Sequence, residues 1–401
     1  MSARIPNRDK PTWISYLQAG FFGWAIYGLG PAIAFLRDDL DLSRTVASLH
    51  SLIAAVGSVG AGLLSKRLIA ALGRGQVLRY ASLVMAVGIT SFTLGKSIAL
   101  TLTGAALFGF AVATFVQGTA AFLDKHQGVA APGAISELHA MAAGVGMLSP
   151  VLIGVGVSSR FGWRPAFLIG VIGILLVEVL RGRDASPYGK KPSSLTATDA
   201  AADLTVKHDA PGRLPSPFWV AFLVMLCTSS TESPMLLWSS ELLRTQGNLA
   251  RGLAAAAVGC VVGGMFVGRI LGARLTMKFD SESVYLNSLV VSLVGFLMFW
   301  LSNIPAVMVF GLALTGLGMS VHFPLGIARA IRASNGHPDR AAAIVSVGTG
   351  IAGGLAPFIL GALADEVGTH WAYSIVPAVL ITAIVTTRLN RVPLAVQSST
   401  N

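Results

Sequence analysis

Six glycine positions in the first half of this 401-residue chain recur 207 residues later in the second half. Matching by chance at one fixed offset would give roughly two such pairs, so the spacing indicates an internal duplication. Pro150 and Pro357 share the same offset, each within an apolar stretch. A chain of this kind is expected to fold into two related halves. The glycine pairs are Gly57 and Gly264, Gly88 and Gly295, Gly104 and Gly311, Gly109 and Gly316, Gly146 and Gly353, and Gly154 and Gly361.

The composition places both halves in a membrane. Hydrophobic residues make up 54% of the chain and charged residues only 12%, whereas a soluble domain has about 25% charged residues. A chain with so few charges cannot cover a surface in contact with water, so lipid must be its solvent. We therefore expect an integral membrane protein, with membrane lipid as one of its partners.

Twelve stretches are long and apolar enough for transmembrane helices, which need about 20 mostly apolar residues each. The sequence predicts an all-α membrane protein whose twelve transmembrane helices form two pseudo-symmetric six-helix bundles. The predicted domains are residues 1–180, a polar cytoplasmic linker at 181–216 and residues 217–401. Spans one to six are predicted at 13–36, 46–71, 78–95, 98–123, 134–158 and 164–180, and spans seven to twelve at 217–243, 252–276, 283–302, 304–330, 341–364 and 370–389.

The distribution of lysine and arginine predicts the orientation. With the N-terminus in the cytoplasm, 22 of the 29 basic residues fall on the cytoplasmic side, which is the asymmetry of the positive-inside rule. We expect both termini in the cytoplasm and a location in a bacterial-type plasma (inner) membrane. Basic loops that face anionic lipid also account for the net charge of +11, so no nucleic-acid partner is expected. On the outer side, Asp38, Asp39 and Asp41 are interpreted as solvated loop residues.

Three local patterns, together with the span count, resemble the major facilitator superfamily over about residues 13–390. The resemblance implies a secondary transporter whose halves rock about a central site lined by spans one, four, seven and ten. The family usually has an aspartate in the loop after span two, where this chain has Lys66. The three patterns are Gly62-Leu63-Leu64-Ser65-Lys66-Arg67 followed by Gly73-Arg74, Ser149-Pro150 with Gly154 in span five, and Phe161-Gly162-Trp163-Arg164-Pro165 before span six.

Spans five and eleven carry the candidate pivots. Proline removes one backbone hydrogen bond from a helix, and glycine lets two helices approach closely. We expect both spans to bend or to rock against a neighbouring helix. The candidate pivots are Gly146, Pro150, Gly154, Gly353, Pro357 and Gly361.

Glu232 is the sharpest functional candidate within the spans. At 1.5 Å per residue it lies about 17 Å from the outer end of span seven, near the middle of the membrane. Ionisable groups at that depth are expensive and are functional candidates by default. We expect Glu232 to couple transport to protons, in a helix broken at the nearby Pro234. The alternative is a protonated carboxyl that hydrogen-bonds to a neighbouring helix.

Five further side chains are candidates for substrate binding. Arg269 in span eight offers a planar fork for a carboxylate or phosphate, unless it snorkels to the interface. His322 in span ten can hydrogen-bond a polar solute, or rest as a neutral ring against a backbone carbonyl. Gln117 in span four, with Tyr27 and Trp24 in span one, supplies amide and aromatic groups suited to a small-molecule site, or simply to packing.

These residues predict a secondary active transporter for a small polar organic solute, with anions as one candidate class. It would work by alternating access, as a monomer, and draw on a proton gradient. No catalytic constellation, metal-ligand spacing or phosphate-binding loop stands out in the sequence, so neither an enzyme activity nor a cofactor is expected. Two alternatives are a proton-driven exporter of amphipathic drugs and, more remotely, a transporter-like ligand sensor.

Overall fold

The structure, a computed structural model, describes residues 6–183, 186–188 and 213–390. Within these ranges the regular elements are helices, and all twelve predicted spans are present. Spans five, ten and twelve each consist of two helical segments. Spans one to six are Lys10–Leu40, Arg44–Leu72, Arg74–Leu94, Ile98–Gln127, Ala131–Gly146 with Leu148–Ser158, and Trp163–Arg181. Spans seven to twelve are Ser216–Thr245, Arg251–Leu275, Ser281–Leu301, Pro305–Met319 with His322–Arg332, Pro338–Val367, and Thr369–Ala372 with Ile375–Leu389.

Length and composition agree with a membrane protein. Among the described residues, eleven helical stretches are long and apolar enough to cross a bilayer, and one of them, Ile98–Ser158, contains both span four and span five. Most of the predicted linker, at 184–185 and 189–212, lies outside the described residues, so the domain boundaries stay predictions. Within the linker, Tyr188 is buried and its ring lies 4.1 Å from the guanidinium carbon of Arg181.

The two halves repeat the same helix packing. Span four packs against spans two and three, as span ten packs against spans eight and nine. Span one packs against spans five and six, as span seven packs against spans eleven and twelve. We name the two ends of the bundle by the chain termini. The termini face is the end at which span one begins and span twelve ends, and the far face is the opposite end.

The repeated glycines lie at equivalent close contacts in the two halves. A Cβ at Gly57 would collide with the carbonyl oxygen of Ala106, and a Cβ at Gly264 would collide with that of Ala313. All four positions obey the 207-residue offset. Glycine is needed here because the helix backbones touch, leaving no room for a side chain. The duplication inferred from the sequence is therefore confirmed as a repeated packing.

Span five packs against span eight and span two against span eleven across the two halves, and we call these two helix pairs the seam; span one also packs against span seven. A Cβ at Gly154 would collide with the carbonyl oxygen of Gly252. In the second pair, a Cβ at Gly361 would lie 3.0 Å from the carbonyl oxygen of Arg44. Both contacts lie near the far face. The predicted pivots Gly154 and Gly361 thus occupy matching places on the seam.

The two proline positions differ in their effect on the helix. Span five divides at Met147, and Pro150 lies in the first turn of its second segment, where the missing N–H would have no intrahelical partner. Span eleven stays one helix through Pro357. The carbonyl oxygen of Pro357 accepts a hydrogen bond from the Trp238 indole at 3.0 Å. The scaffold is duplicated, but the interruption of the helix is not.

We expect Gly154→Ala to weaken closure of the far face, because the added methyl group would push span five away from span eight. The readout is the alkylation rate, by a membrane-impermeant maleimide, of Ser48→Cys, a buried position, in a chain whose Cys227 and Cys260 are replaced by serine. The rate should rise about fivefold for each 1 kcal/mol of lost closure. Gly60→Ala is the matched control, because nothing lies within 4 Å of a Cβ there. Equal rates in both variants would contradict the seam.

Candidate substrate and coupling site

Four residues from the two halves lie near one another at the interface, and we call them the interface cluster. Tyr27 and His139 belong to the first half, and Glu232 and Arg269 to the second. Arg269 Nη1 donates a hydrogen bond to the carbonyl oxygen of His139 at 3.2 Å. The Arg269 charge also acts on the Tyr27 hydroxyl, the His139 ring and the Glu232 carboxyl. The structure therefore brings together the predicted site residues Glu232, Arg269 and Tyr27, with His139 as an addition.

Apolar packing surrounds this cluster. Tyr27 is buried against Ala143 of span five and Val262 of span eight, with Met147 and Phe266 alongside. The Tyr27 ring also lies where a side chain on Gly146 would be, which explains the glycine at this predicted pivot. Because apolar side chains cover the Tyr27 side of the cluster, charges on that side interact more strongly than they would in solution.

Glu232 is only partly buried, and in the described part of the chain it makes no direct hydrogen bond or ion pair. The break predicted at Pro234 is wrong, because span seven runs as one helix from Ser216 to Thr245. The Tyr373 hydroxyl donates to the carbonyl oxygen of Pro234 at 3.0 Å and so holds this part of the helix in place. Glu232 is thus presented by a fixed helix, with its carboxyl available to a proton or a ligand.

A cavity of about 250 Å³ lies between the halves, bounded by spans one, two, four, seven and eleven. Its walls are mostly apolar, and the hydroxyl groups of Ser51, Ser58 and Ser233 contribute polar atoms. Ser233 directly follows Glu232 in span seven, so the cavity and the interface cluster adjoin along that helix. A mostly apolar wall with a few polar groups is typical of small-molecule sites.

Trp24 and Gln117 contact other neighbours. Trp24 is only 3% exposed, and its ring packs where a side chain on Gly170 of span six would be. Gln117 is exposed on span four, and its Oε1 accepts a hydrogen bond from the Ser65 hydroxyl of span two at 3.0 Å. The structure does not bring either residue into the interface cluster, and their roles in substrate binding stay predictions.

His322 lies in a polar region inside the second half, facing span nine. Its Nε2 is 3.4 Å from Ser292 Oγ, and its ring meets the Tyr285 ring edge-on at 6.1 Å. His322 Nδ1 and the Tyr285 hydroxyl are buried and have no hydrogen-bond partner among the residues that the structure describes. Nearby, Arg329 and Glu282 form a buried ion pair at 3.1 Å. Such unpaired buried groups are suited to ordered water, and a role for His322 at the substrate stays a prediction.

A cluster that the sequence did not single out closes the far face, and we call it the far-face lock. Glu241 lies near the end of span seven and is only 4% exposed. Its carboxylate pairs with Arg37 of span one and, at 2.6 Å, with Arg44 of span two. The Thr369 hydroxyl donates to the same carboxylate at 3.2 Å. Asp365 of span eleven accepts the backbone N–H groups of Arg44 and Thr45 at 3.0 and 2.8 Å. Every one of these contacts joins one half to the other, except the one from Thr369.

The outer aspartates extend this lock. Asp38 lies 3.5 Å from Arg244 and 3.5 Å from Arg251, both in the second half. Asp39 pairs with Arg164 at 2.8 Å and accepts a hydrogen bond from the Trp163 indole at 2.9 Å. Asp38 and Asp39 are exposed, as predicted, but they lie in the last turns of span one and not in a loop, and helix ends from other spans bring cations to them.

The halves separate more toward the termini face. Extended packing between spans four and ten is missing from the part of the chain that the structure describes. His139 and Gln117, on spans five and four, are exposed there. The described residues thus form an arrangement closed at the far face, with the interface cluster nearer the open side.

The family of this chain follows from its sequence. The model of the Major Facilitator Superfamily matches residues 15–278 and, in a second and overlapping match, residues 218–400. The chain belongs to the major facilitator superfamily. As a member of that superfamily it is a membrane transporter and not an enzyme. No curated protein matches the chain in sequence at a significant level.

Solved structures of other members of the superfamily share the fold. The xylose transporter XylE from E. coli, partially occluded and inward open, has a TM-score of 0.74 at 13% identity, covering 96% of this chain and 99% of its own. A D-xylose-proton symporter gives 0.74 at 15% identity, over 96% and 97%. The nucleoside transporter NupG gives 0.74 at 11% identity, over 95% and 98%. At these identities the likeness shows the fold alone.

We expect Glu241→Gln to open the far face, because two arginines would lose the carboxylate that balances them in a buried place. Labelling of Ser48→Cys, in the same cysteine-free chain, should rise by more than about tenfold, since breaking a buried pair costs about 3–5 kcal/mol. Asp41→Asn removes the same charge from an exposed position on the same face and should change little. A Glu241→Gln rate no higher than that of Asp41→Asn would show that the lock contributes little to closure.

Proposed function

We propose that this transporter moves a small polar organic solute by alternating access and couples the movement to protons. The observation that carries the proposal is the interface cluster, in which Glu232 and Arg269 of one half meet Tyr27 and His139 of the other. Because the cluster spans both halves, a change in the charge of Glu232 changes how strongly the halves attract each other. Transport is coupled to protons when proton binding stabilises one arrangement of the two halves more than the other.

The pairing of charges supports an anionic solute. When Glu232 carries a proton, Arg269 has no nearby counter-charge in the interface cluster, and a carboxylate of the solute can take that place. When Glu232 is charged, it balances Arg269 and competes with the solute. Proton and anion then bind together, and the adjoining cavity, about 250 Å³, accommodates the rest of a small molecule.

The proposal includes an orientation. The termini face would be cytoplasmic, in a bacterial-type inner membrane, which is supported by the basic residues on that side. In this orientation the far face is the closed, outer side. One chain supplies both halves of the interface cluster, so a monomer contains a whole site.

An apolar cavity favours a second candidate, the proton-driven exporter of amphipathic compounds. This cavity measures about 450 Å³ and lies between spans seven, eleven and twelve, next to Ser230 and Pro234. Its walls are almost entirely aliphatic and aromatic, including Phe222 and Leu226. Such a wall suits an apolar ligand that enters from the bilayer, and recognition there would not involve Arg269.

The first test is a thermal-unfolding screen of purified protein against organic acids, sugars, amino acids and amphipathic drugs at two pH values. A solute present at about 100 times its Kd should stabilise the protein by about 2.7 kcal/mol. We expect a carboxylate to give this effect, Arg269→Ala to abolish it, and Arg274→Ala, five residues further on and exposed, to retain it. Stabilisation by a carboxylate that survives in Arg269→Ala would contradict the anion site, and stabilisation by drugs alone would favour the exporter.

The second test concerns coupling and uses the solute found by the screen. In proteoliposomes, we expect Glu232→Gln to lose proton-driven accumulation and to retain exchange of labelled for unlabelled solute, because the amide keeps the shape but cannot change charge. Glu366→Gln, an exposed carboxyl at the far face, is the matched control and should keep both activities. Continued proton-driven accumulation by Glu232→Gln would overturn the assignment of Glu232.

A further inference from the structure

A groove of about 270 Å³ lies between spans eight, nine and ten, at the half of the molecule nearer the termini face. Its wall includes Leu271 and Leu275 of span eight, which are 42% and 43% exposed. Neither the interface cluster nor the cavity between the halves shares a residue with it. Large aliphatic groups exposed on the flank of a membrane-spanning bundle face acyl chains, so this groove opens to lipid.

The wall of the groove is mostly apolar and includes Leu271, Val291 and Leu317. Its deeper hydroxyls, Ser288 and Ser320, already donate to backbone carbonyls of their own spans. The polar group of the wall that is left for a ligand is Asn287 of span nine, nearer the termini face. An amphipathic molecule with its polar end toward the termini face would match this order of surfaces.

Asn287 is the polar group that most needs a partner. It is exposed and makes no hydrogen bond within the described residues. At 1.5 Å per residue it lies about 9 Å from the start of span nine, inside the apolar layer. An unpaired carboxamide facing hydrocarbon is costly, whereas the ester oxygens of a phospholipid would accept its two N–H groups.

Two basic residues are sequence neighbours of the groove's wall at the termini face. Arg274, in the last turn of span eight, precedes the wall residue Leu275, and Lys278 precedes the wall residue Phe279. Both are exposed and have no ion-pair partner within the described residues.

The nearby acids are already engaged. Asp280 caps span nine, accepting the Ser283 N–H at 3.1 Å, and Glu282 is buried against Arg329. The two cations are therefore available to an anion from the membrane surface.

We propose that this groove binds an anionic phospholipid. The acyl chain lies along Leu271 and Leu317, the glycerol esters meet Asn287, and the phosphate meets Arg274 and Lys278. Basic pockets between helices at the membrane surface recognise anionic headgroups in this way. Span eight separates the groove from the interface cluster, so the bound lipid braces the helix that carries Arg269.

The experiment is native mass spectrometry of the full chain, released from detergent with added phosphatidylglycerol or phosphatidylcholine of identical acyl chains. We expect phosphatidylglycerol to be retained preferentially. The double variant Arg274→Gln, Lys278→Gln should bind it about tenfold more weakly, because each basic group near an anionic headgroup contributes. Asn287→Leu should weaken both lipids, since both present the same esters.

The matched control removes two charges from exposed positions on the same face, Arg67→Gln with Lys125→Gln, and should keep the preference for phosphatidylglycerol. A further arm adds inorganic phosphate at the same concentration and should not displace the lipid. Equal retention of the two lipids, equal loss in the control and groove variants, or displacement by phosphate would each overturn the proposal. Thermal unfolding of every variant without added lipid confirms that it is folded, and Asn287→Gln supplies a conservative variant that should retain binding.

Discussion

A carboxylate that is almost excluded from water must have its charge balanced by neighbouring groups, and at Glu241 these come from the other half of the molecule. Arg37 and Arg44 supply that balance from spans one and two. Closing the far face therefore removes the Glu241 carboxylate from water only together with its two arginine partners, and opening it returns the carboxylate to water as these pairs part. An intermediate arrangement that buries the carboxylate without its arginines is unfavourable, because a single buried charge without a counter-charge is costly. The consequence is a far face with two favourable arrangements, docked and fully parted, and few between them.

The seam beneath this lock permits such a step. Gly154 and Gly361 place backbone against backbone, so side chains of the two halves do not interlock there. Within each half, in contrast, the repeated glycine contacts bring helices together over much of their length. Each half thus repeats the same internal packing, and the seam joins the two halves through glycines. This arrangement favours rigid-body movement, in which each half keeps its packing while the seam changes.

Much of this architecture could be read from the sequence, because lipid imposes a simple rule on every span. A helix must satisfy its own backbone groups and stay apolar for about 20 residues, so the span boundaries and the duplication were predictable. The meeting of Glu232 with Arg269 was also predictable, since both are ionisable and lie at depth in spans of the same half. What depth does not give is the direction of a side chain around its helix. Trp24 and His322 have suitable depths, yet they face spans six and nine.

The sequence does not show in which direction a side chain points around its helix. A helix between lipid and protein is apolar on both sides, so it lacks the polar stripe that orients a soluble helix. The far-face lock was hidden for another reason. Glu241 and its two arginines are about 200 residues apart in the chain, and no local spacing connects them. The sequence suggested only an interfacial or gate role for His139, at the start of span five, because it is the backbone carbonyl of His139, and not its ring, that accepts the hydrogen bond of Arg269.

The interruption of span five at Met147 has a consequence for the order of events. Met147 keeps helical backbone angles and its N–H still bonds to the carbonyl oxygen of Ala143, so span five is loosened there and not cut. Its counterpart, span eleven, runs as one helix through Pro357 and is tied to Trp238. The two helix pairs of the seam are therefore mechanically unequal, although they descend from one duplicated design. Within the seam, the contact between spans five and eight can change by local bending of span five. The contact between spans two and eleven changes later, when the two halves move as rigid bodies. A solute arriving from the far face would then find a passage that opens first between spans five and eight. It would enter from that side of the bundle and not along the axis between the two halves.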